Sequence, residues 1–92
     1  MTPLSPVLAK SGGLMYHWCD GCDSYHAIDV DVPNPYTGAV WTFNGDVDKP
    51  TFHPSVNIVG QCHYFIRDGN IEYCTDSKHH LAGLTVSLPL MP

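Results

Sequence analysis

The sequence is poor in basic residues. Lysine and arginine together number four, against nine aspartate and glutamate residues, and the formal net charge is −5. The four cations are scattered along the chain, so they form no basic stripe of the kind that neutralises the phosphates of a nucleic acid. We therefore expect no direct binding to DNA or RNA. The same lack of a basic surface argues against a zinc ribbon that binds nucleic acid.

The sequence also lacks a long apolar run. No segment approaches the roughly 20 apolar residues that a membrane-spanning helix needs. The first six residues lack the basic and then apolar layout of a secretory signal peptide. We expect a protein that stays in the cytosol and does not bind a membrane. In that reducing compartment its four cysteines are thiols available to a metal rather than disulfide partners.

The composition favours short strands over helices. Eight glycines and eight prolines interrupt a chain that is 43% hydrophobic, which is too apolar for a disordered chain and too interrupted for a helical bundle. We predict a mainly β fold, a small antiparallel sheet or sandwich. Residues 1–13 are expected to be a flexible N-terminal arm and residues 14–92 a single domain. A domain this small has a limited core, so an additional staple such as a metal is expected.

The clearest local signal is the pair Asp68-Gly69, which suits the positive φ angles of a two-residue type I′ turn. It predicts a β-hairpin over residues 62–74. The next segment, residues 76–82, starts with residues that can cap a helix and is followed by Gly83. That segment predicts a short helical turn.

A metal site is indicated by the C-x-x-C motif Cys19-Asp20-Gly21-Cys22. The glycine lets the chain fold tightly enough for both thiolates to face one ion. A redox dithiol is the competing interpretation, but such a dithiol usually opens a helix in a βαβ unit, and no such helix is predicted here. Zinc takes four ligands of this kind, so we expect a zinc-stapled fold whose other two ligands come from the second half of the chain.

Several residues compete for the other two positions. Because neighbouring strand residues point to opposite faces, Cys62 and His63 cannot both reach one ion from a regular strand. Cys62 is favoured because structural zinc prefers thiolates, whereas the argument for His63 is its predicted position opposite Cys74. His79 is the preferred fourth ligand. His26 is left open as a ligand, a hydrogen-bond donor behind a ligand or an ordinary strand residue. The predicted zinc ligands are therefore Cys19, Cys22, Cys62 and His79, with His63 and His26 as alternates.

The most distinctive segments are WCDGC at 18–22 with the nearby His26, WTFNGD at 41–46, KPTFHPS at 49–55, CHYFIRDG at 62–69 and DSKHHLAG at 76–83. In this order they resemble DUF6527, a family of small bacteriophage and prophage proteins of unknown function. The resemblance implies a phage origin, a zinc site and no particular activity, and it leaves Cys74 outside the family pattern. The positions it marks are Cys19, Cys22, Pro50, Thr51, Pro54, Ser55, Cys62, His63, Asp76 and His79.

The first functional hypothesis is a non-enzymatic, zinc-binding phage accessory protein. It would bind a host or phage protein in the cytoplasm of the bacterial host, for host takeover or to counter a defence system. Aromatic residues that suit such an interaction module are Tyr16, Trp18, Tyr36 and Trp41, although aromatic side chains in so small a chain are more often part of the core. The oligomeric state is not indicated.

The alternative hypothesis is a small zinc-dependent hydrolase. Three protein ligands would hold the ion and a water molecule would fill the fourth position. Asp76 or His63 would be the general base, and Ser55 or Thr51 would orient the substrate. Two thiolate ligands make a structural zinc more common than a catalytic one, which favours the first hypothesis.

Overall fold

The structure, a computed structural model that describes residues 1–92, consists of nine β-strands and contains no helix. The strands form two antiparallel sheets, one of four strands and one of five, so the predicted mainly β fold is confirmed. The fold contains no helix that could span a membrane. The strands are β1 (Thr2–Pro3), β2 (Ala9–Ser11), β3 (Leu14–Cys19), β4 (Ser24–Asp29), β5 (Thr42–Phe43), β6 (Phe52–Ile58), β7 (Cys62–Arg67), β8 (Asn70–Tyr73) and β9 (Thr85–Ser87).

The first sheet has the strand order β1-β2-β3-β4. Strands β3 and β4 form a hairpin that closes with Cys19 paired to Ser24, so the C-x-x-C motif lies at its turn. Residues 1–13, expected to be a loosely held arm, instead supply β1 and β2, and β2 pairs with β3. The physical reason is burial, because Leu8 and Ala9 are buried in the core and anchor this segment.

The second sheet has the order β5-β6-β7-β8-β9, and every neighbouring pair is antiparallel. Its centre is the hairpin predicted around Asp68-Gly69. Both turn residues have positive φ, 50° and 77°, as a type I′ turn requires. The register pairs Tyr64 with Tyr73, so the predicted hairpin is confirmed.

Strand β6 contains an irregularity opposite β7. Phe52 pairs with Ile66 and Val56 pairs with Tyr64, so residues 53–55 of β6 lie opposite the single residue Phe65. Such bulges re-aim side chains and often lie beside functional sites. Ser55 is part of this irregular segment.

The segment after β8 contains turns instead of the expected short helical turn over residues 76–82. The amide of Ala82 donates to the carbonyl of His79, and the amide of Gly83 donates across to the carbonyl of Tyr73. A helix does not form because Ser77 and His79 are both held by β7: the Ser77 side chain bonds the backbone of His63, and the His79 ring lies beside Cys62.

The core is formed by apolar side chains of both sheets. The first sheet and its preceding loop contribute Leu8, Met15 and Ile28, and the second contributes Phe52, Tyr64, Ile66 and Ile71. On β7 the residues alternate between buried and half-buried along the strand. Cys62, Tyr64 and Ile66 therefore point into the core, and His63 and Phe65 point to the other face.

Candidate active site and metal centre

The side chain of His63 contacts a serine and an aspartate at opposite ends of its ring. Its Nε2 lies 3.1 Å from Ser55 Oγ, and its Nδ1 lies 3.1 Å and 3.2 Å from the two carboxylate oxygens of Asp76. The exposed fraction is 26% for the His63 side chain and 63% for that of Asp76. The imidazole is thus half-buried between a hydroxyl and a solvent-facing carboxylate.

Three elements of the second sheet supply these residues. Ser55 lies in the irregular segment of β6, His63 lies on the adjacent β7, and Asp76 lies in the turn that follows β8. In a regular antiparallel pair with the register of residues 56–58, Ser55 would lie opposite Phe65. The extra residues on β6 accompany a local change of direction that allows the Ser55 hydroxyl to reach the His63 ring.

Ser77 fixes Asp76 relative to His63. The buried Ser77 hydroxyl donates to the His63 carbonyl at 2.7 Å and accepts from the His63 amide at 3.0 Å. The Ser77 amide also donates to the carbonyl of Cys74 at 3.1 Å. These bonds attach the turn to the backbone of the residue whose side chain Asp76 contacts, so the carboxylate is held in place although it is exposed.

The arrangement of Ser55, His63 and Asp76 suits nucleophilic catalysis. The carboxylate accepts a hydrogen bond from the Nδ1–H group, which leaves the Nε2 lone pair free to accept the hydroxyl proton of the serine. Sequence reasoning named His63 as an alternate zinc ligand, His63 or Asp76 as the general base of a zinc enzyme, and Ser55 only as a substrate-orienting residue. The available signal was the presence of a serine, a histidine and an aspartate together among the positions that the resemblance marked.

A second cluster lies on the core side of β7. One ligand atom from each of Cys19, Cys22, Cys62 and His79 lies within 4.8 Å of the others. Cys62 Sγ lies 3.2 Å from His79 Nε2. The backbone amide of Cys22 donates to Cys19 Sγ at 3.4 Å, so the C-x-x-C segment forms a tight turn with its two sulfur atoms close together. These four residues, which the sequence singled out as ligands, are brought together by the fold and can hold a metal ion.

Gly21 is required by the position of His79. A Cβ atom at residue 21 would overlap with the His79 imidazole, so any residue with a side chain would push the ring away from the C-x-x-C turn. The φ angle of Gly21 is not positive. The requirement is therefore the close approach of the ring and not a special backbone conformation.

The donor set fits zinc. In a tetrahedral site with Zn–S bonds near 2.3 Å and Zn–N bonds near 2.0 Å, a sulfur and a nitrogen ligand atom are roughly 3.5 Å apart, and Cys62 Sγ and His79 Nε2 lie 3.2 Å apart. Burial raises the pKa of the Cys62 thiol, and the nearby thiols of Cys19 and Cys22 raise it further. Three thiols packed this closely become thiolates only when a cation is bound among them.

The Tyr73 side chain packs against the cluster. Tyr73 Oη lies 3.0 Å from Cys19 Sγ, and the Tyr73 ring packs edge-on against His79 with centroids 4.6 Å apart. Burial raises the pKa of Tyr73 well above its ordinary value, and so does its bond to Cys19. Tyr73 is therefore a neutral hydroxyl that can donate to the sulfur.

His26, the alternate ligand, lies outside the four-residue cluster. Its Nδ1 lies 3.1 Å from Tyr64 Oη, which in turn lies 2.7 Å from Nε2 of His17. His17 Nδ1 bonds the carbonyl of Trp18 at 3.2 Å, so it carries the proton of that ring. Tyr64 then donates to His17 and accepts from His26. This leaves the buried Nε2 of His26 as a lone pair without a partner.

The two clusters are joined by two short stretches of backbone. Cys62 and His63 are adjacent on β7 and point to opposite faces, and Asp76 and His79 lie in the same turn. The metal cluster thus fixes the turn from one side of the strand, and Ser77 fixes it from the backbone. An open cleft of about 230 Å³ is lined in part by Asn57, His63 and Asp76.

A comparison with family models gives one match over most of the chain. The model described as "Bacterial ubiquitination-like system serine protease (BubE)" matches residues 3–74. The matched segment includes Ser55 and His63 and ends two residues before Asp76. No curated protein and no solved structure matches the chain.

This match corrects two expectations from the sequence, and the geometry of the site corrects a third. The resemblance to DUF6527 phage proteins is wrong, because the matching family is a bacterial protease family. The predicted phage accessory role in host takeover or anti-defence is wrong for the same reason. The zinc-hydrolase alternative is also wrong: His63 and Asp76 face Ser55, on the other side of β7 from the metal cluster.

Proposed function

We propose that this chain, which belongs to the BubE family of bacterial ubiquitination-like system serine proteases, hydrolyses peptide bonds with Ser55 as the nucleophile. His63 is the general base and Asp76 orients it. The observation that carries the proposal is the His63 ring, which bridges Ser55 Oγ and the Asp76 carboxylate at 3.1 Å on each side. The family description supports the same reaction class.

The reaction follows from the hydrogen-bond directions. Ser55 Oγ attacks the scissile carbonyl carbon while His63 Nε2 takes the hydroxyl proton. The resulting tetrahedral intermediate collapses as the C–N bond breaks, and His63 gives its proton to the leaving amine. Water, activated by the same nitrogen, then hydrolyses the acyl ester and restores Ser55.

Asp76 has two roles in this scheme. It holds the Nδ1–H tautomer, so Nε2 faces the serine, and it stabilises the imidazolium that forms after proton transfer. Because the Asp76 side chain is 63% exposed, water screens its charge. Its electrostatic contribution should therefore be smaller than that of a buried carboxylate, and its orienting role correspondingly more important.

The metal bound by Cys19, Cys22, Cys62 and His79 is, in this proposal, a structural zinc. Three thiolates and one imidazole complete a tetrahedral shell and leave no position for water. Zinc at this site would connect the turn between β3 and β4 of the first sheet to β7 and the following turn of the second. It would thereby support the position of Asp76 without entering the reaction.

The nucleophile is tested by covalent labelling. Purified protein is treated with diisopropyl fluorophosphate, and the modified residue is located by peptide mass spectrometry. The expected result is one adduct, on Ser55, that is lost in Ser55→Ala and in His63→Gln and retained in Ser87→Ala, a matched change at an exposed serine of β9. Absence of label at Ser55 in folded protein that holds one zinc ion per chain, with no zinc added, would refute the proposal.

A further inference from the structure

Cys74 lies beside His63 and Asp76, and the three residues together could bind a metal ion. One ligand atom from each of His63, Cys74 and Asp76 lies within 4.8 Å of the others. Cys74 is next to His63 across the sheet, since its amide donates to the His63 carbonyl at 2.9 Å. Its thiol forms no disulfide and is not needed by the reaction described above.

The position of Cys74 is fixed by the surrounding backbone. The carbonyl of Cys74 accepts a hydrogen bond from the amide of Ser77. The Ser77 hydroxyl in turn accepts from the amide of His63 and donates to the carbonyl of His63. The neighbouring carboxylate of Glu72 is occupied, because Arg67 binds it at 3.1 Å. A thiol, an imidazole and a carboxylate are thus left together on a half-exposed face.

We propose that Cys74, His63 and Asp76 form an inhibitory site for a borderline or soft divalent cation, with Zn²⁺ as the physiological candidate. A thiolate, an imidazole nitrogen and a carboxylate oxygen are the three donor types that zinc takes from proteins, and water can complete the shell at an exposed site. Burial and the charges of Asp76 and Glu72 raise the pKa of the Cys74 thiol. A bound cation stabilises the thiolate form of Cys74 and so offsets both the burial and the repulsion by these carboxylates.

The inhibition follows from the tautomer of His63. Nδ1 is the ring nitrogen beside Asp76, and a neutral imidazole that binds a cation through Nδ1 carries its proton on Nε2. Nε2 then has no lone pair to accept the Ser55 proton. The cation also takes the carboxylate that orients the ring, so occupation of this site removes the general base.

This site is separate from the structural cluster. Cys62 and His63 point to opposite faces of β7, so one ion cannot bind both clusters. Cys19 and Cys62 of the structural cluster are buried, whereas His63 and Cys74 are half-buried and Asp76 is exposed. We therefore expect the second cation to exchange readily with chelators while the first is retained.

The binding experiment does not depend on catalysis. Protein holding one zinc ion per chain is titrated with ZnCl₂, and the stoichiometry is followed by native mass spectrometry. We expect a second zinc ion in the wild-type chain and in Ser55→Ala, and its loss in Cys74→Ser. Cys74→Ala is a second variant, and thermal unfolding confirms that each variant is folded.

The inhibition experiment, which rests on the proposed serine protease function, measures the rate of Ser55 labelling by diisopropyl fluorophosphate. Saturating zinc is expected to slow wild-type labelling by about 10²-fold, the typical contribution of a general base, and a short EDTA treatment should reverse the effect. In Cys74→Ser the basal rate should be unchanged and zinc should have little effect.

The outcomes separate the two proposals. A chain that binds only one zinc ion, or a second zinc ion that persists in both Cys74 variants, overturns the inhibitory site. A second zinc ion that leaves labelling unchanged overturns it as well. Failure of Ser55 to react without added zinc refutes the protease proposal instead, and the stoichiometry still decides whether the cation site exists.

Discussion

Cys62 and His63 are consecutive residues of β7 whose side chains lie on opposite faces of the second sheet. Cys62 is buried against His79 in the four-residue cluster, and His63 contacts Ser55 and Asp76 on the other face. The alternation of a β-strand thus separates the four-residue cluster from the group of Ser55, His63 and Asp76 by one peptide unit. A disturbance of either cluster is expected to affect the other through β7 and the turn that holds Asp76 and His79.

Replacement of Asp76 tests its orienting role. Asp76→Asn should lower kcat by roughly 10²–10³-fold, less than the loss of about 10⁴-fold seen for buried carboxylates of such triads, because Asp76 is exposed. An amide can also stabilise the wrong imidazole tautomer. Steady-state hydrolysis of a p-nitrophenyl ester measures the effect. Asp48→Asn, a change at another exposed aspartate, is the control, and equal activities of the two variants would exclude Asp76 from the site.

Removal of the Ser77 hydroxyl should reduce both stability and activity. Ser77→Ala leaves the His63 amide without its partner, which costs about 1–3 kcal/mol for a buried group, and removes one of the two donors to the His63 carbonyl. The turn then no longer holds Asp76 against His63, so kcat should fall while KM changes little. Urea unfolding and ester hydrolysis measure the two effects, with Ser87→Ala as the control. A Ser77→Ala protein of unchanged kcat would show that Asp76 is positioned by other contacts.

Removal of the metal should destabilise the fold and not merely stop the reaction. We expect prolonged chelation in mild denaturant to lower Tm by about 10 °C or more, because a structural zinc site contributes directly to folding. Loss of activity should follow the loss of structure in time, and zinc should restore both. Unfolding followed by circular dichroism, in parallel with Ser55 labelling, separates these events. A metal-free protein of unchanged Tm would contradict the structural role.

Gly21→Ala should weaken metal binding because the new Cβ overlaps with the His79 ring. The expected result is less than one zinc ion per purified chain and a lower Tm than in the parent protein. Zinc content is measured by atomic emission. The matched control is Asp20→Asn, which keeps the oxygen that accepts the bond from the Trp18 indole and should retain full zinc content.

Acid should destabilise the protein in part through His26. Burial lowers the pKa of His26 from 6.5 to about 4, so the folded state binds fewer protons than the unfolded state between these values. The associated stability is fully present above pH 6.5 and is lost progressively as the pH falls towards 4, to a limit of about 3 kcal/mol.

The measurement for His26 is the free energy of unfolding in urea at pH 7 and at pH 5. His26→Gln carries no titratable group, so its stability should fall less between these two values than that of the wild type. Acid also protonates the metal ligands in both proteins, and the difference between the two proteins therefore isolates the contribution of His26. Identical losses in the two proteins would exclude it.

The sequence determined the elements whose signals are local. The Asp68-Gly69 pair specified the β7–β8 hairpin because a type I′ turn needs two positive φ angles, and the register of that hairpin follows from the length of its turn. The C-x-x-C motif selected Cys19 and Cys22, and the preference of structural zinc for thiolates favoured Cys62 over His63. His79 was chosen for its place in the turn after the hairpin, and the structure brings these four residues together. Their role as zinc ligands stays a prediction.

Only the tertiary structure decided how Ser55, His63 and Asp76 are arranged and whether the first 13 residues join a sheet. Ser55 reaches His63 through an irregularity in β6 that no local pattern marked, because its cause is the register of two strands that pair across the sheet. The N-terminal segment carries proline and glycine signals typical of a loose arm, yet burial of Leu8 holds it in the first sheet. Both results depend on contacts between distant parts of the chain, and these contacts exist only once the chain is folded.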